Sequence, residues 1–155
     1  MGHKENLYFI ALIPKRELRE KINAFKNDFA DRFNSSKALK VYPHITLKAP
    51  FKCSIGKHDH LLKWFSNLNI RQKQFSIPLN GFDAFHNKNS PVVYVNPLMK
   101  NDLELMQQEI IESFIHLFSD YVNPVDVKFK PHSTVAYRDL TPEMFSKAWK
   151  EYKHK

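Results

Sequence analysis

Residues 43–51 read PHITLKAPF, and residues 131–139 read PHSTVAYRD, so the chain contains Pro-His-x-Thr twice. In each case the four residues open a run that favours a β-strand. The chain has 8 histidines and only 3 threonines, and chance alone would give roughly 0.15 His-x-Thr matches. The repeat therefore indicates a functional motif, and it is the starting point for the rest of the sequence.

Side-chain alternation predicts which residues of each motif act together. Residues i and i+2 of a strand point to the same face, so His44 shares a face with Thr46, and His132 shares one with Thr134. Two halves related by an approximate two-fold axis would bring both imidazoles and both hydroxyls to one groove. Continuing the alternation adds one basic residue to each strand, and these are Lys48 and Arg138.

This set of side chains suits in-line attack on a phosphodiester. Histidine titrates near neutral pH, so a pair supplies one general base and one general acid. Threonine hydroxyls donate hydrogen bonds to non-bridging phosphate oxygens, and a lysine or arginine stabilises charge that develops in the transition state. We expect no metal and no cofactor, because the two imidazoles perform both proton transfers.

Composition limits the class of protein. A chain of 155 residues with 43% hydrophobic residues predicts one domain with a substantial core. The formal net charge of +8 suits a phosphate-bearing partner, although the charges are spread along the chain and a solvated basic surface is an equal alternative. Cys53 is the single cysteine, which fits a reducing, cytoplasmic location. No apolar run is long enough for a membrane span, and the start lacks the form of a signal peptide.

Periodicity predicts an α+β protein with the order β-α-β-α-β-β-β-α-β-β-α. Asn101 with Glu104 resembles a capping box, and Thr141 followed by Pro142 is typical of a helix start. Gly81 allows a turn or bulge. The predicted helices cover residues 16–33, 57–68, 101–119 and 142–152, and the predicted strands cover 7–13, 44–49, 75–80, 82–85, 92–96, 125–129 and 132–137.

The chain resembles the two-histidine phosphoesterase superfamily, in its RNA 2'-5' ligase-like and cyclic phosphodiesterase branch. PHITL and PHSTV match the paired signature, and YFIALIP, ALKVYPHITLKAPF, FDAF and PVVYVNP match the family's layout over most of the chain. The resemblance implies one domain over residues 1–155 with two pseudo-symmetric lobes, each an antiparallel sheet with helices outside, and an active groove between them. The family usually continues with another strand after the last helix, whereas this chain ends at Lys155.

The resemblance also implies an activity and residue roles. It implies metal-independent hydrolysis of 2',3'-cyclic phosphates or related RNA-end phosphoesters. His44 and His132 take the catalytic positions, and Thr46 and Thr134 take the phosphate-contact positions. The role of Arg138 rests on alternation alone.

Several alternatives stay open at this point. Tyr42 and Phe51 flank the first motif and are candidates for stacking on a nucleobase, or for a place in the core or at the rim of the site. A metal site at His58-Asp59-His60 is disfavoured, because neighbours at i and i+2 do not share a helical face. The same groove would serve a non-catalytic RNA-binding module or a 2'-5' RNA ligase. The sequence indicates neither the acid among the two histidines, nor the base preference, nor the oligomeric state.

Overall fold

The structure, a computed structural model, describes residues 4–155. The chain divides into two compact units that are interleaved in sequence. Unit 1 takes in the residues up to Ala11 together with Thr46–Ile77 and Met99–Lys130, and unit 2 consists of Leu12–Ile45, Pro78–Leu98 and Pro131–Lys155. The α+β class and two antiparallel sheets surrounded by helices are confirmed.

Unit 2 is built on a three-stranded antiparallel sheet in the order β3-β4-β5. The strands are β3 (Leu79–Phe85), β4 (Val92–Pro97) and β5 (Ser133–Ala136). The predicted bulge lies at Gly81, which has φ 64° and shifts the β3–β4 register. A Cβ at this glycine would lie 2.6 Å from the carbonyl oxygen of Lys155, so only glycine fits there.

Two helices complete unit 2. Helix α1 (Arg16–Phe33) contacts β5 and helix α5 (Pro142–Tyr152). The apolar stripe of α1 buries Phe29, at 0% exposure, against Tyr152, with ring centroids 4.6 Å apart. Each such buried aromatic ring contributes about 1.5–3 kcal/mol. The core also includes these residues: Ile22, Phe33, Ala84, Val93, Val95, Val135, Ala136, Leu140 and Ala148, with Trp149 packed against them.

Unit 1 contains most of the two-stranded sheet of β1 (Glu5–Leu12) and β2 (Ile45–Ser54), whose residues Leu12 and Ile45 belong to unit 2. It also contains helices α2 (His58–Ser66), α3 (Asn101–Phe118) and α4 (Pro124–Val127). Its core is aromatic, since the rings of Phe51 and Trp64 lie 5.1 and 5.4 Å from the ring of Phe114. The indole N–H of Trp64 donates to Ser113 Oγ at 2.9 Å, which satisfies the polar end of this side chain. Cys53 on β2 has 0% exposure and is a free thiol.

Some predicted elements are confirmed and others are wrong. Thr141 caps α5 by accepting from the Met144 N–H at 3.2 Å, as predicted. The predicted capping box at Asn101 is wrong, because Lys100 is the N-cap of α3 and makes no side-chain cap bond. The predicted strand 75–80 is wrong for residues 75–78, which form no ladder, and β3 begins only at Leu79.

The predicted strand 125–129 is also wrong. Residues Pro124–Val127 form α4, a single helical turn. Asn123 and Asp126 make a reciprocal capping box there, and proline occupies the first helical position. These two helix-start signals override the alternation of the VDVKF stretch.

No helix within residues 4–155 combines the length and the apolar character that crossing a membrane requires.

Candidate active site

His44 lies one residue before β2 and is half-buried. Its Nδ1 is 2.7 Å from the carbonyl oxygen of Tyr42. A carbonyl oxygen only accepts, so Nδ1 must donate and carries the proton in the neutral imidazole. The ring therefore presents Nε2 for proton exchange, whether His44 serves as base or as acid.

His132 lies one residue before β5 and is also half-buried. Its ring packs against two aromatic side chains, with centroids 5.1 Å from Phe85 and 5.4 Å from Tyr94. Tyr94 is completely buried, and its hydroxyl donates to Asp83 Oδ2 at 3.2 Å. Aromatic packing thus restricts the orientation of this imidazole.

Both histidines belong to unit 2. The 3-10 helix Lys37–Lys40 ends four residues before His44, and it contacts β5, which begins one residue after His132. Within unit 2, the segment that leads into the first motif therefore lies beside the strand of the second motif.

The predicted alternation holds at the start of both motif strands. Thr46 and Thr134 are half-buried, as are the histidines two residues before them. The residues between and after them are buried, namely Ile45, Leu47, Ser133 and Val135. Thr134 pairs with Tyr94 across the β4–β5 ladder, so the second threonine lies beside the residue that packs on His132.

The predicted substrate contact of Lys48 conflicts with its position. Its side chain has 0% exposure, and Nζ lies 3.0 Å from Asp126 Oδ2. Nζ also donates to the Ala49 carbonyl and lies 4.7 Å from the ring centroid of Phe51. A side chain without exposed surface cannot contact a substrate, so Lys48 is a structural residue of unit 1.

Arg138 lies outside the strand whose alternation predicted its contact with substrate. Strand β5 ends at Ala136, and Arg138 adopts a positive φ of 58°. Its guanidinium is exposed and lies 5.2 Å from the ring centroid of Tyr137. Its direction is therefore set by a turn, and a contact with substrate remains a prediction.

The two aromatic candidates have different environments. Phe51 is 6% exposed and packs in the core of unit 1, so base stacking by this residue conflicts with the structure. Tyr42 is 67% exposed. The guanidinium of Arg19 lies 5.3 Å from the Tyr42 ring centroid, and this cation–π contact supports one face of the ring.

The histidines of the HDH stretch have structural partners. His58 Nδ1 lies 2.9 Å from the hydroxyl of Tyr8, and the His60 ring lies 5.4 Å from Phe118. Across residues 4–155, no three His, Cys, Asp or Glu side chains are grouped in a way that could hold a metal ion.

Sequence reasoning missed the environment of His132 and two carboxylates that bind backbone N–H groups within or ahead of the first motif segment. Phe85 and Tyr94 lie in predicted strands, but the sequence does not indicate that they contact His132. Asp126 and Asp139 bind backbone N–H groups far away in sequence. Only the fold reveals such contacts.

Comparison with known proteins identifies related sequences. The model of the 2'-5' RNA ligase superfamily matches residues 14–155. A protein of Geobacillus sp. (strain WCH70) named "Putative phosphoesterase" is 28% identical over 133 residues, which cover 86% of this chain and 69% of that protein. Two proteins with the same description, from Geobacillus thermodenitrificans (strain NG80-2) and Staphylococcus aureus (strain Newman), are each 25% identical, over 94% and 82% of this chain and 77% and 68% of their own lengths.

Proposed function

Because the chain belongs to the 2'-5' RNA ligase superfamily, we propose that it is a metal-independent phosphodiesterase. Its substrates are 2',3'-cyclic phosphates or related RNA-end phosphoesters. The observation that carries this proposal is the pair of Pro-His-x-Thr segments, whose histidines both lie in unit 2 at the starts of strands. The names of the relatives support a phosphoesterase, and the substrate and the cyclic-phosphate specificity are our proposal.

The reaction needs two proton transfers. One imidazole accepts a proton from the attacking water as its oxygen bonds to phosphorus, and the other donates a proton to the ribose oxygen as the P–O bond breaks. The Nδ1–H bond to the Tyr42 carbonyl supports a role for His44 through Nε2. General acid–base steps of this kind contribute about 10²–10⁴-fold each.

Other residues near the motifs bind the substrate in this proposal. The hydroxyls of Thr46 and Thr134 donate to non-bridging phosphate oxygens. Arg138 supplies positive charge near the second motif. Tyr42 stacks on the nucleobase with the face that Arg19 does not cover, and its 67% exposure supports this role. Lys48 and Phe51 take no part.

A second candidate is ligation of RNA ends. The family description names a 2'-5' RNA ligase, and in such a reaction a 5'-hydroxyl replaces water as the nucleophile that bonds to phosphorus while the ribose oxygen leaves with the proton from the general acid. A reducing, cytoplasmic location, suggested by the single free thiol of Cys53, belongs to the same proposal.

The test is hydrolysis of each 2',3'-cyclic nucleotide in the presence of EDTA, with separation of the 2'- and 3'-phosphate products. We expect a single product isomer from the wild type and none from His44→Ala or His132→Ala. His86→Ala is the matched control, because His86 is an exposed histidine of unit 2 that packs on Phe145 and Trp149, and it should retain activity.

The alternatives give different results. Full activity in either motif variant would overturn the two-histidine mechanism. Joining of 2',3'-cyclic phosphate RNA ends to 5'-hydroxyl ends would show ligase activity. Salt-sensitive RNA binding without any product would show a binding module.

A further inference from the structure

The 3-10 helix Lys37–Lys40, which precedes the first motif, is held at its N-terminal end by Asp139. Oδ2 of Asp139 accepts from the backbone N–H groups of Ser36 and Lys37 at 2.9 and 3.0 Å, and Oδ1 accepts from Ser35 Oγ at 2.9 Å. Burial raises the pKa of this carboxyl, but the three hydrogen bonds outweigh burial and lower the pKa below its usual value. The carboxylate thus caps a helix from a distant part of the chain.

The C-terminal end of the same 3-10 helix is held by Lys26 of α1. Nζ donates to the carbonyl oxygens of Ala38 and Val41 at 3.0 and 2.8 Å. The lysine is 2% exposed, and burial lowers its pKa to about 8. A buried ammonium is costly unless hydrogen bonds compensate it, so these two carbonyls are strongly fixed partners.

The two charges have the signs that a helix favours at its ends. A carboxylate meets the N–H groups at the start, and an ammonium meets the C=O groups at the end. The helix has only four residues, of which Ala38 is buried, and Asp139 and Lys26 add hydrogen bonds at its two ends.

The position of this helix bears directly on His44. Lys26 fixes the Val41 carbonyl, and the next carbonyl along the chain, that of Tyr42, accepts the Nδ1–H of His44. Pro43 is buried and has a restricted φ. The Tyr42 carbonyl is therefore held between a fixed peptide group on one side and a rigid proline on the other.

Asp139 also connects the two motifs. It follows β5 by three residues, after a turn in which the Asp139 N–H donates to the Tyr137 carbonyl at 2.6 Å. Arg138, at the centre of this turn, has φ 58°, a strained conformation for a residue with a side chain. The turn delivers the Asp139 carboxylate to the segment that leads into the first motif.

We propose that Lys26 and Asp139 are positioning residues for His44. They hold the Lys37–Lys40 helix at both ends, so that the Tyr42 carbonyl keeps the proton of His44 on Nδ1 and directs Nε2 to the substrate. This inference rests on the proposed function, because it assumes that His44 exchanges a proton with the substrate.

The test combines Lys26→Met with two readouts. Met has a similar length and no donor, so it removes both bonds to the carbonyls. Long-range ¹H–¹⁵N spectra report the tautomer of His44, with its signals assigned by their loss in His44→Ala. We expect the Nε2–H tautomer to appear in Lys26→Met, and kcat for a 2',3'-cyclic nucleotide to fall about tenfold, which is less than the 10²–10⁴-fold contribution of a general acid–base group because the imidazole is still present. KM should change less than about twofold.

Tyr152→Phe is the matched control. It removes another buried polar contact of α1, the bond from the Tyr152 hydroxyl to Asp28 at 2.6 Å, without touching the Lys37–Lys40 helix. Both the tautomer and kcat should stay as in the wild type. Asp139→Asn is the second test variant, because Asp139 is half-buried. We expect the His44 tautomer to shift in this variant too. Asp139→Asn alone tests the positioning role if circular dichroism shows that Lys26→Met does not fold.

An unchanged His44 tautomer in the folded variants would overturn the positioning role, even if kcat falls. A shifted tautomer together with full activity of His44→Ala would retain the hydrogen-bond chain but contradict the proposed function. The two failures are therefore distinguishable, because the tautomer is measured without turnover.

Discussion

The two Pro-His-x-Thr segments share four residue positions, and each holds its histidine one residue before a strand. His44 is oriented by a hydrogen bond to the backbone carbonyl of Tyr42. His132 packs against the rings of Phe85 and Tyr94. The comparison teaches that a duplicated motif specifies the reacting groups, whereas the residues that follow each copy are free to diverge.

The two segments differ at the residue two positions after each threonine. Lys48 in the first segment forms a buried ion pair with Asp126, and Ala136 in the second segment is completely buried in an apolar core. β2 continues past Lys48 to Ser54, whereas β5 ends at Ala136. One strand is thus held by charge and the other by packing.

The largest expected effect tests whether the two histidines act as one unit. His44→Ala and His132→Ala should each lower kcat/KM by about 10²–10⁴, measured on a 2',3'-cyclic nucleotide. The double variant should be little worse than either single variant, because groups that act together lose their effect together. Losses that multiply in the double variant would show that the two histidines act independently.

The buried ion pair should have a large effect on stability. Lys48→Met leaves the Asp126 carboxylate without its cation in a buried site, so the free energy of unfolding should fall by about 3–5 kcal/mol. The double variant Lys48→Met/Asp126→Asn should lose less free energy of unfolding than Lys48→Met and Asp126→Asn lose together as single variants. Urea denaturation measures both.

Ala136→Gly is the comparison at the corresponding position of the second segment. Loss of one buried methyl group and greater chain entropy should cost about 1–2 kcal/mol. If Lys48→Met lowers the free energy of unfolding no more than Ala136→Gly does, the interpretation that the ion pair stabilises β2 is wrong.

A third expected effect concerns the residue that precedes each Pro-His, which is Tyr42 in one segment and Lys130 in the other. If Tyr42 stacks on the base, kcat/KM for a 2',3'-cyclic nucleotide should exceed that for base-free ribose 2',3'-cyclic phosphate by an amount worth about 1–3 kcal/mol. Tyr42→Ala should remove this preference and Tyr42→Phe should keep it. An equal preference in Tyr42→Ala would mean that the base binds elsewhere or not at all.

A last expected effect is a pH dependence of stability that originates beside the first segment. The pKa of Lys26 is about 8 in the folded protein against an ordinary 10.5, so between these values the unfolded state binds more protons. The free energy of unfolding should therefore rise from about pH 8 to 10.5, by at most about 1.4 kcal/mol per pH unit. Urea denaturation of wild type and Lys26→Met at several pH values isolates this slope as the difference between them, and parallel profiles would show that the buried lysine titrates normally.

Local sequence signals predicted those parts of the fold whose causes are local. The apolar stripe of residues 16–33 matches α1 at both ends, and the Thr141 cap formed as expected. Lys48 could not be placed, because alternation gives the face of a strand but not its depth, and Asp126 is distant in sequence. Arg138 could not be placed because nothing in the alternation marks Ala136 as the end of β5.

The site was predictable to the same extent. The motif residues were identified because their pattern is repeated, and the alternation predicts the shared face of each histidine and the threonine two residues after it. Lys26 and Asp139 gave no signal, since their partners are backbone groups whose positions only the fold determines. The helical turn at residues 124–127 did carry a signal in Asn123 and Pro124, but the alternating VDVKF pattern suggested a strand instead.

The chain has two tryptophans, and the units hold one each, with Trp64 in unit 1 and Trp149 in unit 2. The fluorescence of Trp149→Phe therefore reports unit 1 alone, and that of Trp64→Phe reports unit 2 alone. The buried thiol of Cys53 adds a chemical reporter, because its rate of modification measures the opening of unit 1. If residues 1–155 form one cooperative domain, both emission signals will lose native intensity at the same denaturant concentration.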